Sequence, residues 1–287
     1  MDFLYLILGL IILVVGAEVV IRGSVSFGKK LNISLFAIGV VIVAGGTSLP
    51  ELASSINAVI TQHADLALGA VVGSNIANLI LVMAATTIIF PITNINNNQI
   101  NQAWINIALG IALIFMSYFY FNFVFGIISL TLLTFIMYIQ IIRGSLNINE
   151  ISKGEYSTII SIILIIIGIV FLIYGSELFV SSAINLSNTF GVSETVIGLS
   201  LIAFGTSLPE LVVGIISALK RKVDFALGNI LGSNIYNVLG VLGVSSFFNK
   251  FTMPNILASQ DLLFMLFITF IALGFMYFSK KLGRTYG

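Results

Sequence analysis

Apolar positions along the chain gather into nine long runs parted by short polar breaks: residues 3–21, 34–60, 66–90, 103–121, 124–142, 157–180, 193–219, 225–248 and 261–279. About twenty helical residues rise the ~30 Å of a bilayer's hydrocarbon layer, so each run predicts one spanning helix. Helix is the form in which a span satisfies its backbone amides within its own segment. The stretch 103–142 is too long for one span and is divided around Asn122, where aromatic and polar residues fit a short turn. The first run is preceded by Asp2 and by no basic residue, so it is read as a retained span and not as a cleaved signal.

Composition agrees with lipid as the solvent: 59% of residues are hydrophobic and 8% are charged. The fold class expected is an all-α polytopic membrane protein. With the spans numbered, Arg22, Lys29, Lys30, Arg143, Lys153, Lys220, Arg221, Lys222, Lys280, Lys281 and Arg284 fall on one side and Lys250 on the other. That bias predicts a cell inner (plasma) membrane protein with its N-terminus outside. A net charge of +1 gives no reason to expect nucleic acid as a partner. The absence of cysteine excludes disulfides and thiolate metal sites. Segment 143–156 has no room for a folded module, and the uncharged tract NINNNQINQ (94–102) reads as an inner loop.

Shifted by 159 residues, the chain matches itself. GTSLPEL recurs at 46–52 and 205–211; LALGAVVGSNIAN (66–78) falls on FALGNILGSNIYN (225–237); GAE (16–18) falls on GSE (175–177), and Gly39 on Gly198. Five spans in the first unit put the start of the second on the opposite side of the membrane, so the units are inverted, an architecture recurrent in secondary transporters. The organisation expected is a first repeat over 1–142, a short cytoplasmic linker over 143–156 and a second repeat over 157–287. A second five-helix unit calls for a tenth helix that this sequence does not contain, and truncation is the preferred reading.

Both GTSLPEL segments lie at mid-span. Pro50 and Pro209 remove a backbone donor and disturb the carbonyl four residues back, at Gly46 and Gly205. A freed carbonyl at this depth must be satisfied by protein or by a polar cavity. Helical spacing sets Thr47 and Ser48 on one face with Glu51, and Thr206 and Ser207 with Glu210. The next span of each unit adds Ser74 and Asn78, or Ser233 and Asn237. An all-oxygen set with two carboxylates suits hard cations such as calcium or sodium. Two buried carboxylates need one divalent ion, monovalent ions or protons to balance them, and competition for one site gives exchange.

Other repeated features have plainer readings. Gly69, Gly73, Gly228 and Gly232 are expected to be helix-packing positions. Glu18 can pair with Arg22 one turn on, and with Glu177 it is given a structural role. Asp65 and Asp224 sit where helices begin and are read as N-caps. His63 in a short loop and Trp104 at a span boundary are not expected to carry chemistry.

Through both GTSLPEL and both GSNI segments the sequence resembles the cation/calcium antiporter superfamily, in particular the prokaryotic sodium/calcium exchangers. The resemblance covers essentially the whole chain. It implies two inverted five-helix units, with the second, third, seventh and eighth helices lining the site and the first and sixth sliding across them. It implies as ion-binding oxygens the Ala44 carbonyl, Thr47, Ser48, Glu51, Ser74 and Asn78, and in the second half the Ala203 carbonyl, Thr206, Ser207, Glu210, Ser233 and Asn237. Some members carry an aspartate at the position of Asn237, whereas both halves here carry asparagine, leaving two acids in the site.

The function expected is therefore antiport of calcium against sodium, with calcium and sodium as substrates and no resident cofactor. A proton-driven calcium antiporter on the same scaffold and, further off, a passive cation channel are the alternatives. No HExxH, no DDxxD and no nucleophile with a histidine partner is present, so an enzyme is not expected.

Overall fold

The computed structural model of the chain describes residues 1–93, 95–145, 154–189, 203–254, 257–279 and 281–282. Its helices are α1 (Asp2–Leu31), α2 (Leu35–Thr47), α3 (Leu49–Ile60), α4 (Ala64–Ile89), α5 (Asn97–Met116), α6 (Phe123–Ser145), α7 (Thr158–Thr189), α8 (Ala203–Thr206), α9 (Leu208–Leu219), α10 (Val223–Ser245) and α11 (Leu257–Phe278). Seven of these are long and apolar enough to cross a membrane, and α2 with α3, bent by 42°, makes an eighth span. Helices α8 and α9 are the described part of the run at 193–219; Gly198, Lys153, Lys280 and Arg284 lie outside the described residues.

Burial grades the helices from centre to rim. The apolar window of α10 is 89% buried, whereas those of α1, α6, α7 and α11 are 28–33% buried. The rim helices turn Phe, Ile and Leu outward, a surface that lipid accepts and water would not.

The repeat is written into the backbone. The breaks at Ser48 (φ −82°, ψ 8°) and Ser207 (φ −86°, ψ 3°) coincide under the shift of 159. So do the left-handed residues Gln62 (φ 62°) and Arg221 (φ 57°), and the ends of the π-helical turns Asn78–Val82 in α4 and Tyr236–Val241 in α10, the second turn beginning one residue earlier. Helices α1 and α7 are repeat mates that run antiparallel, as inversion requires. Gly9, Gly16 and Gly23 of α1, seven residues apart and so on one face, meet the backbone of α7 near Gly175, Gly168 and Ser161. A Cβ added at Gly9, Gly16, Gly23, Gly168 or Gly175 would stand 2.6–2.9 Å from atoms of the other helix, so the two lie backbone to backbone.

Several local expectations change. The tract 94–102 is largely the start of α5: Asn96 and Gln99 form a capping box, with Gln99 N–H donating to Asn96 Oδ1 (3.0 Å) and Asn96 N–H to Gln99 Oε1 (2.9 Å). Gln99 and Gln102 are buried, and Gln99 Nε2 donates to Asp224 Oδ1 at 2.8 Å, joining α5 to α10. Asp65 and Asp224 are not caps: the cap positions are His63 and Lys222, neither with a side-chain capping bond, and both aspartates stand in the first turn, where the helix dipole favours an acid. Asn122 does close the turn before α6, accepting from the N–H groups of Val124 (3.0 Å) and Phe125 (3.1 Å). Gly228 and Gly232 press against α2 at Phe36 and Val40. Gly69 and Gly73 have no such neighbour among the described residues.

Candidate functional site

Proline position explains the bend in each signature. Pro50 and Pro209 stand in the first turn of α3 and α9, where a missing N–H costs nothing, so the chain breaks just before them, at Ser48 and Ser207. The disturbed carbonyl at Gly205 is not left open: Ser176 Oγ of α7 donates to it at 2.7 Å. The corresponding position in α1 is Ala17, which has no hydroxyl to give Gly46. The Ala44 carbonyl accepts from Ser48 N–H (3.1 Å) and lies 3.3 Å from Thr47 Oγ1. Ala203 lies in α8, at the position that the shift of 159 matches to Ala44.

Beyond the breaks, α3 packs on the π-helical turn of α10 and α9 on that of α4, each against the opposite half. Glu51 and Glu210 are both fully buried (0% exposed), one from each half. Thr47, Ser48, Ser74, Asn78, Ser207, Ser233 and Asn237 are buried with them, and Thr206 is half-buried. Ser74 Oγ donates to Glu51 Oε1 (3.3 Å), and Ser233 Oγ donates to Glu210 Oε1 (3.4 Å). Each carboxylate also meets the threonine of the opposite half, Thr206 reaching Glu51 and Thr47 reaching Glu210. The halves are thus interlaced, with Ser74 and Ser207 hydroxyls 3.1 Å apart across the seam.

Two residues absent from the sequence-based site lie on the seam itself. Asn75 Nδ2 donates to the Asn234 carbonyl and Asn234 Nδ2 to the Asn75 carbonyl, both at 3.4 Å, as a local two-fold demands. Their side-chain oxygens accept from the next asparagines along, Asn234 Oδ1 from Asn78 Nδ2 (2.9 Å) and Asn75 Oδ1 from Asn237 Nδ2 (3.0 Å). This second layer fixes which way the Asn78 and Asn237 amides face. With the NH₂ groups turned to the seam, the Oδ1 atoms point the other way. The signal was present, since both are the asparagine of the repeated GSNI.

Five buried side-chain oxygens of this cluster have no hydrogen-bond partner among the described residues: Ser48 Oγ, Glu51 Oε2, Asn78 Oδ1, Glu210 Oε2 and Asn237 Oδ1. Four of them can only accept when the carboxylates are ionised. Leaving such acceptors dry costs about 1–3 kcal/mol apiece, more for the charged ones, so the arrangement asks for a cation or for protons. No cluster of three or more His, Cys, Asp or Glu side chains occurs among the described residues, which sets this site apart from zinc-like centres. Glu18 lies elsewhere, accepting from Arg22 Nε (2.5 Å) and from Lys220 Nζ (2.7 Å) at the end of α9.

Residues 1–142 and 160–287 match the family described as sodium/calcium exchanger protein. An uncharacterised membrane protein of Methanocaldococcus jannaschii is 35% identical, over 94% of this chain and 91% of its own length. The sodium/calcium exchanger MaX1 of Methanosarcina acetivorans is 30% identical, over 86% of this chain and 83% of its own. Among solved structures, the sodium-calcium exchanger NCX_Mj superimposes with a TM-score of 0.87 at 32% identity, covering 99% of this chain and 93% of that one. The family is one of transporters and not of enzymes.

Proposed function

We propose, from the premise that this chain belongs to the sodium/calcium exchanger family, that it exchanges calcium for sodium across a cell's inner membrane by alternating access at the Glu51–Glu210 site. The observation that carries the reading is the set of orphaned acceptor oxygens shared between two fully buried carboxylates, one from each inverted half. Its first-half ligands are the Ala44 carbonyl, Thr47, Ser48, Glu51, Ser74 and Asn78. The second half supplies the Ala203 carbonyl, Thr206, Ser207, Glu210, Ser233 and Asn237. Such a set offers calcium its preferred six to eight oxygens, and sodium can use the same ones.

Exchange follows from charge. The ionised site carries two negative charges, which one calcium or two sodium ions cancel, and both cannot occupy it at once. An empty ionised pair is held at high cost in a dry interior, so the carrier changes face loaded and returns loaded. The sliding part is the α1–α7 pair, which packs backbone to backbone within itself and largely faces lipid. Repeats 1–142 and 157–287 then supply mirror-related routes to the two sides, with the N-terminus outside.

Two protons would neutralise the same two carboxylates, which makes a proton-driven exchanger the second reading. In everted vesicles, calcium uptake should appear when a sodium gradient is imposed and not with a pH gradient alone. Uptake driven only by the pH gradient selects the proton reading, and uptake needing neither counter-ion contradicts exchange.

A further inference from the structure

Thr47 and Thr206 are repeat mates, yet their surroundings differ. Asn229 of α10 is fully buried and its Oδ1 lies 3.2 Å from Thr47 Oγ1, as a hydrogen-bond acceptor. The position equivalent to Asn229 in the first half is Ala70, which has no polar group to offer. Asn229 Nδ2 is buried without a partner among the described residues, so the amide is kept in place by Thr47 and not by a network of its own.

One hydroxyl hydrogen cannot serve every acceptor near Thr47. Ala44 O (3.3 Å), Asn229 Oδ1 (3.2 Å), Ser233 Oγ (3.4 Å) and the Glu210 carboxylate all lie within reach. If the proton points at Glu210, it occupies the space in which a cation must sit. If it points at Asn229, the lone pairs of Thr47 are free to face the ion. We infer that Asn229 is a positioning residue: it draws the Thr47 proton away from the Glu51–Glu210 site and so turns the threonine oxygen into a ready cation ligand. This rests on the cation-binding reading of the site given above. Asparagine suits the post because a half-turn of its amide lets Nδ2 donate to Thr47 when the hydroxyl swings back to Glu210 in an empty site. Thr206 has no such orienter among the described residues, where Ala70 stands at the mate position of Asn229, so the two half-sites are unequal although their ligands repeat.

Groups that orient metal ligands from behind are worth about 10–100-fold in affinity when removed. The test is equilibrium binding of calcium-45 to detergent-purified full-length protein, with sodium as competitor at constant ionic strength. It compares the wild type, Asn229→Ala, Thr47→Val and the double variant. The expected result is a calcium affinity about ten-fold weaker or worse in N229A. The same substitution should change little once Thr47 is already valine, because the two act through one oxygen. Independent losses that multiply in the double variant, or an unaltered N229A, overturn the inference. Should N229A not fold, Asn229→Ser, which keeps a hydroxyl acceptor, enters the same cycle with a smaller loss. A wild type that binds neither calcium nor sodium refutes the functional reading itself, and is thereby told apart from a failure of Asn229 alone.

Discussion

Asn237→Asp is the substitution that most directly tests the link between site charge and exchange. Asn237 is fully buried, its Oδ1 is one of the orphaned oxygens, and its Nδ2 donates to Ser74 Oγ (3.1 Å) and Asn75 Oδ1 (3.0 Å). The change is isosteric, so the ligand oxygen stays. It removes two hydrogen bonds, at about 0.5–1.5 kcal/mol each, and adds a third negative charge. A wild-type site of charge −2 is balanced by one calcium or two sodium ions, which predicts electroneutral exchange. With three acids, three sodium ions balance the site while one calcium leaves one negative charge uncancelled, so exchange of three sodium ions for one calcium carries one net charge across per cycle. Moving one charge through 100 mV is worth about 2.3 kcal/mol, on the order of fifty-fold in the calcium gradient that can be sustained. Proteoliposomes with the membrane potential set by potassium and valinomycin read this directly. Calcium accumulation by the wild type should ignore the imposed voltage, and accumulation by N237D should follow it. A wild type as voltage-sensitive as N237D would refute the proposition that buried carboxylates count the ions.

Two further outcomes rest on single contacts. Ser176→Ala deprives the buried Gly205 carbonyl of its 2.7 Å donor, and thermal unfolding should show a loss of about 1–3 kcal/mol. Lys222, outside the spans, has its ammonium held below the usual lysine range by partial burial and then by Lys220 and Lys29 nearby. The folded state therefore binds fewer protons there than the unfolded chain, so stability contributed by this group rises as pH climbs from the depressed value toward 10.5. Lys222→Gln should flatten that rise in a series of unfolding temperatures, and an unchanged pH slope would show that the repulsion is already relieved.

Much of the architecture was legible because lipid imposes one rule on every segment. Span length, the divide at Asn122 and the pairing of halves followed from runs of apolar residues and from a shift of 159. The bend was harder to place: proline perturbs the residues before it, but the chain yields where the missing N–H is free, which moves the break to Ser48 and Ser207. The fate of the Gly205 carbonyl depends on Ser176, a tertiary neighbour that no local pattern announces. The tract at 94–102 looked like a loop because uncharged polar residues usually stay wet. Here Gln99 and Gln102 are buried as cross-helix donors and acceptors. Asn75 and Asn234 were visible in the repeated motif and hidden only by the choice of i and i+4 partners. Asn229 was invisible to self-comparison, since its mate is Ala70 and asymmetry leaves no repeat to find.

The most direct test of the account is competition binding at the two carboxylates. Purified wild type should bind calcium, with sodium displacing it competitively, and Glu51→Gln and Glu210→Gln should each abolish binding of both ions, because each removes half the charge of one shared site. A variant that loses one ion while holding the other at wild-type affinity would mean separate sites, and would contradict exchange by competition between Glu51 and Glu210.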